Sequence, residues 1–234
     1  MFALKTALLP FVYYYFKVFS CYGYKQFYLL LEYVKPLPFN ETQGFLMMNK
    51  PATERVAYLA MSLDGKIARR DGSVDWLDPY PGEAFGYEHF YESVDLILMG
   101  RKTYELILQN GTWPYSNKSV WVYSSHPLEA PPEDVILWND SLQKMAKQLL
   151  LQPPQQKVWI CGGAQLVQGL LRERAVTHLE LYVIPLLLGE GLSLFGMDLP
   201  ETRLDLQEVK AVGHGVVKLR YAVSPRSLES QTIQ

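Results

Sequence analysis

Cysteine is scarce in this chain: Cys21 and Cys161 are the two among 234 residues, and they share no metal-ligand spacing. That argues against a disulfide framework and for a reducing, cytoplasmic setting. Histidine is sparse as well. His89, His126, His178 and His214 are scattered, no HExxH or Cys/His cluster occurs, and no metal site is expected. An excess of charge of either sign is missing too, with 22 Lys and Arg against 24 Asp and Glu. The formal net charge is −2, which gives no footprint for nucleic acid. The dinucleotide fingerprint GxGxxG is absent, so a standard Rossmann dehydrogenase is excluded. Long apolar runs are lacking even in the most apolar part. From Thr6 to Phe16 the chain is uncharged for 11 residues, interrupted by Pro10, whereas a membrane-spanning helix needs about 20.

Residues 1–46 nevertheless differ in kind from the rest. They carry Tyr13, Tyr14, Tyr15, Phe16, Phe19, Tyr22, Tyr24, Phe27 and Tyr28, and no Asp. No small-x-small cleavage site follows the apolar run. We read this extension as a translation start assigned too far upstream, with Met47 or Met48 as the natural start. A weak interfacial anchor is the rival reading. No membrane contact is expected of the folded part, 54–224, which a short tail, 225–234, follows.

What is present from Met47 onward is an alternation of strands and helices. Arg55–Met61 reads as a strand, and Asp64-Gly65 as a turn after which Ile67 and Ala68 resume extended structure. Asp75–Leu77 falls in a loop. Glu83–Ser93 is predicted as a helix, Val94–Met99 as a buried strand, and a helix runs from Gly100-Arg101 to about Leu108. Ser119–Ser124 and Val135–Trp138 are strands. Asn139 or Asp140 is expected to cap a helix over Ser141–Leu151. Val158-Trp159-Ile160 is a strand that passes through Gly162-Gly163 into a helix with Leu166, Val167, Leu170 and Leu171 on its apolar face. His178–Ile184 is a strand. Leu204, Leu206 and Val209, a Gly213-His214-Gly215 turn, and Val217, Leu219 and Tyr221 form an antiparallel hairpin.

This pattern predicts an α/β three-layer sandwich, with a mainly parallel central sheet, helices on both faces and a C-terminal antiparallel hairpin. Ligands of such sheets bind beyond the carboxyl ends of the strands. The candidate motifs follow Met61, Met99, Ser124 and Ile160. A strand running through glycines into a helix N-terminus suits a phosphate; equally, Gly162-Gly163 taken alone is an ordinary tight connection. Gly100-Arg101-Lys102-Thr103 is either a phosphate-binding helix start or an ordinary solvated one. Asp64 is either a turn former or a carboxylate that hydrogen-bonds substrate and routes a proton. Glu190 is either a solvated loop charge or a second carboxylate at the rim. Trp76 is either a core aromatic or a substrate wall.

MSLDGKIA, ILMGRKTYE, VYSS, WICGGAQL and LLLGEGLSLF occur in this order and at these spacings. From about Arg55 to Val223 the chain resembles the dihydrofolate-reductase-like superfamily. Within it, the closer match is the branch of the reductase domain of the riboflavin-biosynthesis deaminase-reductase and its stand-alone relatives. The zinc-deaminase signature is absent. The resemblance implies NADPH as cofactor and a small-molecule substrate. Gly100, Arg101, Lys102 and Thr103 would meet its phosphates, and Ser124 and Ser125, assisted by His126, the adenosine 2′-phosphate. Gly162, Gly163, Gln165 and Leu166 would lie along the pyrophosphate and nicotinamide, and Ala60 would meet the nicotinamide carboxamide. Asp64, Lys66 and Glu190 are the catalytic candidates. The implied reaction is reduction of a ribosylamino sugar to a ribitylamino chain, or of another imine or carbonyl. Pterin reduction and non-catalytic NADPH binding are the alternatives. No carboxylate among Glu83, Glu88 and Glu92 aligns with a pterin-binding acid. Relatives of this fold pair through sheet edges or the terminal hairpin, which implies a homodimer.

Overall fold

Why the middle of the chain is a parallel sheet is clearest at β3 (Leu96–Gly100). Leu96 to Met99 are all buried, and such an unbroken apolar run suits a strand covered on both faces. In the computed structural model, which describes residues 52–80, 82–109, 111–196 and 198–224, β3 lies inside an eight-stranded sheet. The other strands are β1 (Glu54–Ser62), β4 (Ser119–Tyr123), β5 (Val135–Trp138), β6 (Lys157–Gly162), β7 (His178–Ile184), β9 (Leu204–Gly213) and β10 (Val216–Val223). The spatial order is β5-β4-β3-β6-β1-β7-β10-β9. Neighbours from β5 to β7 are parallel, and β10 and β9 add an antiparallel edge. The sheet class and terminal hairpin are those expected from the sequence. Residues 1–46 and 225–234, on which the extension and tail readings fall, lie outside the described residues.

Side chains of successive strand residues leave opposite faces, so each strand feeds two cores. On one face, Ala57, Leu96, Leu98, Val158 and Ile160 pack under α3 (Leu142–Leu150) and α4 (Ala164–Arg172), which bury Met145, Leu149, Val167 and Leu170. On the other, Val56, Tyr58, Ile97, Met99 and Trp159 pack under α1 (Tyr87–Glu92) and α2 (Arg101–Gln109), which supply Phe90 and Tyr104. This second layer is aromatic. Tyr58 stacks on Phe90 at 3.9 Å, and Trp159 meets Tyr58, Tyr87, Phe90 and Tyr115 edge-on. No helix among the described residues is long and apolar enough to cross a membrane.

Two local expectations are corrected. The helix expected over Glu83–Ser93 is a 3-10 turn (Gly82–Phe85) followed by α1. Gly86 separates them at φ +63°, a left-handed conformation that no continuous helix contains, and the Tyr58 hydroxyl donates to Phe85 O at 2.7 Å across the break. The cap of α3 is Ser141, whose Oγ accepts from Lys144 N at 3.3 Å. Asp140 instead accepts from Lys144 Nζ at 2.6 Å. Ile67 and Ala68 are extended as expected, in β2 (Lys66–Ala68), which pairs with β8 (Leu192–Ser193), a strand the sequence does not announce, in a second, two-stranded sheet. Trp76 is buried in a 3-10 turn, Asp75–Leu77, within the aromatic layer, so it is a core residue.

Candidate functional site

The sheet opens where β1 and β6 part. Their register runs from Glu54↔Lys157 to Ala57↔Ile160 and stops, whereas β1 stays paired with β7 as far as Ser62↔Ile184. The cause is a bulge in β6. Leu98 faces Ile160 but Met99 faces Gly162, so Cys161 is the extra residue and the β6 exit follows β3 away from β1. At the split, the Trp159 indole N–H donates to Tyr58 O at 3.0 Å, in place of a strand partner. Ala60, half-buried on the aromatic side, lies on the freed edge of β1.

Two helices begin beside this opening. α2 starts at Arg101 directly after β3, and α4 starts at Ala164 directly after β6 with Gly163 as its cap. Their first turns present backbone N–H groups and positive dipole ends on adjacent strands. The two starts meet at glycines, with room for ordinary van der Waals contact. A Cβ on Gly100 would lie 3.8 Å from Gly163 N, and a Cβ on Gly163 would lie 3.5 Å from Thr103 Oγ1. Gly162, at φ +128°, adopts a conformation that side-chain-bearing residues rarely take. The Gly162-Gly163 peptide is cis.

Beside α2, the Arg101 guanidinium is pre-aimed. Its Nε donates to Glu105 Oε1 at 2.6 Å and its Nη1 to Pro127 O at 3.0 Å. Ser125 and His126 are exposed next to it, with Ser125 Oγ and His126 Nδ1 3.0 Å apart. Lys102 and Gln165 are exposed on the first turns of α2 and α4. Two members of the expected cofactor set face inward, although Ser124 Oγ also lies 3.5 Å from Arg101 Nη1. Ser124 is buried; its hydroxyl donates to His126 O at 2.8 Å and accepts from His126 N, so it builds the turn after β4. Leu166 packs in the core and its N–H donates to Gly163 O.

The catalytic candidates are gathered on the loops after β1 and β7. Asp64 accepts from Ser62 Oγ at 2.6 Å, Leu188 N at 3.0 Å and Gly189 N at 2.8 Å. The Ser62 hydroxyl foremost, then these amides, hold its carboxyl down at about 2. It is therefore ionised at neutral pH and accepts all three of these hydrogen bonds. Lys66 Nζ donates to Ser193 Oγ at 2.8 Å. Glu190 is exposed and paired with Arg70 at 2.9 Å. Sequence reasoning missed a protic cluster next to the bulge. Burial pushes the Cys161 thiol up to about 12 and the Tyr87 hydroxyl up to about 12, and Tyr115 joins them through Trp159, which both tyrosine rings meet edge-on. It also missed Ser62 and Gln168. Ser62 is signalled by the Ser-x-Asp pattern of a polar turn, but nothing local marks Gln168, whose partners lie far along the chain.

Residues 56–218 match the RibD C-terminal domain. An uncharacterised Bacillus subtilis (strain 168) protein, YwjB, is 39% identical over 163 residues, which is 69% of this chain and 93% of that protein. A putative riboflavin biosynthesis protein from Shewanella sp. PV-4 superposes with a TM-score of 0.65 at 28% identity, covering 74% of this chain and 99% of that one. A dihydrofolate reductase from Enterococcus faecalis, solved with NADP(H), superposes with a TM-score of 0.55 at 16% identity, over 74% of this chain and 97% of that one, and shows that the fold is dihydrofolate-reductase-like. The domain match over most of the described residues, the extent of the likeness to YwjB and the shared sheet architecture establish that this chain belongs to the RibD C-terminal domain family.

Proposed function

We propose that this protein is an NADPH-dependent reductase of a small molecule. The observation that carries the reading is the pair of helix N-termini beside the β1–β6 split, which meet through Gly100, Gly163 and Thr103. Such a cradle of N–H groups suits a pyrophosphate. Arg101, held by Glu105 and flanked by Ser125 and His126, offers a cationic fork suited to a 2′-phosphate. Among the described cofactor candidates no acidic side chain replaces it, so NADPH is favoured over NADH. Ala60, on the freed edge of β1, offers backbone groups to the nicotinamide.

When bound, the cofactor supplies the hydride. The protein's part is to orient the substrate, exclude water and hold charge. Lys66 presents a cation next to Ser193 for a phosphate or polar tail of the substrate, and Glu190 with Arg70 forms the outer wall. Asp64 shapes the loop opposite. The substrate proposed is that of the riboflavin-type reductase, 5-amino-6-(5-phosphoribosylamino)uracil, or a related imine or carbonyl. Pterin reduction is disfavoured because α1 turns Tyr87, Phe90 and Tyr91 toward the sheet and leaves Glu88 and Glu92 exposed. NADPH oxidation measured with this pyrimidine, with dihydrofolate and with a carbonyl panel tests the reading. Turnover of the pyrimidine is expected; saturable NADPH binding without turnover of any substrate would favour a non-catalytic NADPH-binding protein.

The same reading includes a homodimer in a cytoplasmic setting. Its support is the edge strand β9, where Leu204, Leu206 and Val209 are exposed on the side on which Leu219 and Val223 are only partly buried.

A further inference from the structure

The segment from Leu186 to Gly196 crosses the site as a strap, and its two ends are fastened to different parts of the fold. At one end, Leu63 N donates to Leu186 O at 2.9 Å, and Asp64 receives the amides of Leu188 and Gly189. These contacts anchor the strap to the exit of β1. In the middle, Gly191 passes so near β2 that a Cβ would lie 2.4 Å from Ala68 O, so this crossing requires glycine. At the other end, the partner is α4. The Gln168 side-chain amide donates to Leu194 O at 2.8 Å and to Ser193 O at 3.3 Å. Gly196 runs so close that a Cβ there would lie 2.9 Å from Gln168 Oε1. The Leu194 side chain is fully buried in the layer formed by α3 and α4.

α4 is the helix whose first turn follows Gly162-Gly163. Gln168 stands in its second turn, on the same nine-residue rod. A helix this short moves as a unit, so any adjustment of its first turn toward an anion is carried to Gln168. From this geometry we infer that Gln168 is a positioning residue that transmits cofactor occupancy at the α4 N-terminus to the strap carrying Glu190 and Ser193. The strap in turn places Ser193 Oγ against Lys66 Nζ, on the substrate side. Cofactor binding thus orders the substrate wall before substrate arrives. The inference rests on the reading of the α4 N-terminus as a cofactor site.

Amide hydrogen exchange on the full chain, with and without NADPH, tests it. In the wild-type protein NADPH should slow exchange across residues 188–194 by about fivefold or more, the lower range of a typical coupling between sites. Gln168→Met keeps side-chain length, and Gln168→Glu keeps shape while replacing the donor with an oxygen. In both, the NADPH-dependent slowing should vanish while NADPH affinity stays within about twofold of wild type. Ser193→Ala leaves the backbone acceptors of Gln168 in place and should retain the slowing. The readout is the difference made by NADPH, because a purely structural contact alters exchange in the free protein and not that difference. Slowing that survives in either folded Gln168 variant overturns the inference, as does NADPH binding in the wild type without slowing. Absence of NADPH binding in the wild type overturns the cofactor reading itself, a separate result.

Discussion

At the scale of single residues, Asp64 shows how geometry decides chemistry. One hydroxyl and two amides point at its carboxylate, so the ionised form is favoured and the group's value falls from 3.8 to about 2. A carboxyl lowered on folding stabilises the fold above its unfolded value, and that contribution disappears as pH falls from about 4 toward 2. Between pH 5 and 8 Asp64 should therefore add no inflection to a rate profile. Asp64→Asn should instead speed amide exchange at Leu188 and Gly189; unchanged exchange there would show that the carboxylate does not hold the loop. The Asp64-Gly65 turn was readable in the sequence, but its partners, Leu188 and Gly189, stand more than 120 residues away. Gly100, Arg101 and Gly162-Gly163 were legible because each lies where an apolar run ends and a helical pattern begins. Ser124 and Leu166 turn their side chains inward, a direction that local spacing does not record.

At the scale of elements, the strongly patterned segments declared themselves. β5 and β7 occupy the ranges read from the sequence, and α4 buries Leu166, Val167, Leu170 and Leu171 as its periodicity requires. Gly86 and the β2–β8 pair were harder to see. A single left-handed glycine inside an apolar stretch looks like a tolerated helical residue, and strands of two or three residues carry no period. The helical layer makes a quantitative prediction. Leu170 is fully buried between α4 and the sheet, so Leu170→Ala should cost about 2–5 kcal/mol in denaturant unfolding. A cost below about 1 kcal/mol would mean that α4 packs more loosely than described. Gly162→Ala forces a side-chain-bearing residue to φ +128° and should cost about 1–3 kcal/mol, together with NADPH affinity. Unchanged stability and affinity would remove this glycine from the cradle.

At the scale of the whole molecule, the decisive feature is the order of strands. β6 returns between β3 and β1, and this places both helix N-termini, the bulge at Cys161 and the freed edge of β1 around one opening. Alternation of strands and helices implied a parallel sheet, but it could not tell which strands would be neighbours, since order is set by long-range packing. The exposed apolar stripe on β9 belongs to this scale too. If two copies pair there, Leu206→Glu with Val209→Glu should convert a dimer to a monomer in sedimentation equilibrium; a monomeric wild-type protein would contradict the pairing. The proposal that this opening takes a phosphorylated nicotinamide cofactor is tested most directly by calorimetric titration of the wild-type protein and Arg101→Ala with NADPH and with NADH. If Arg101 grips the 2′-phosphate, the substitution should weaken NADPH about ten- to a hundredfold, the worth of a hydrogen-bonded charge, and leave NADH nearly unchanged. Equal weakening of both cofactors, or no binding of either by the wild-type protein, would contradict it.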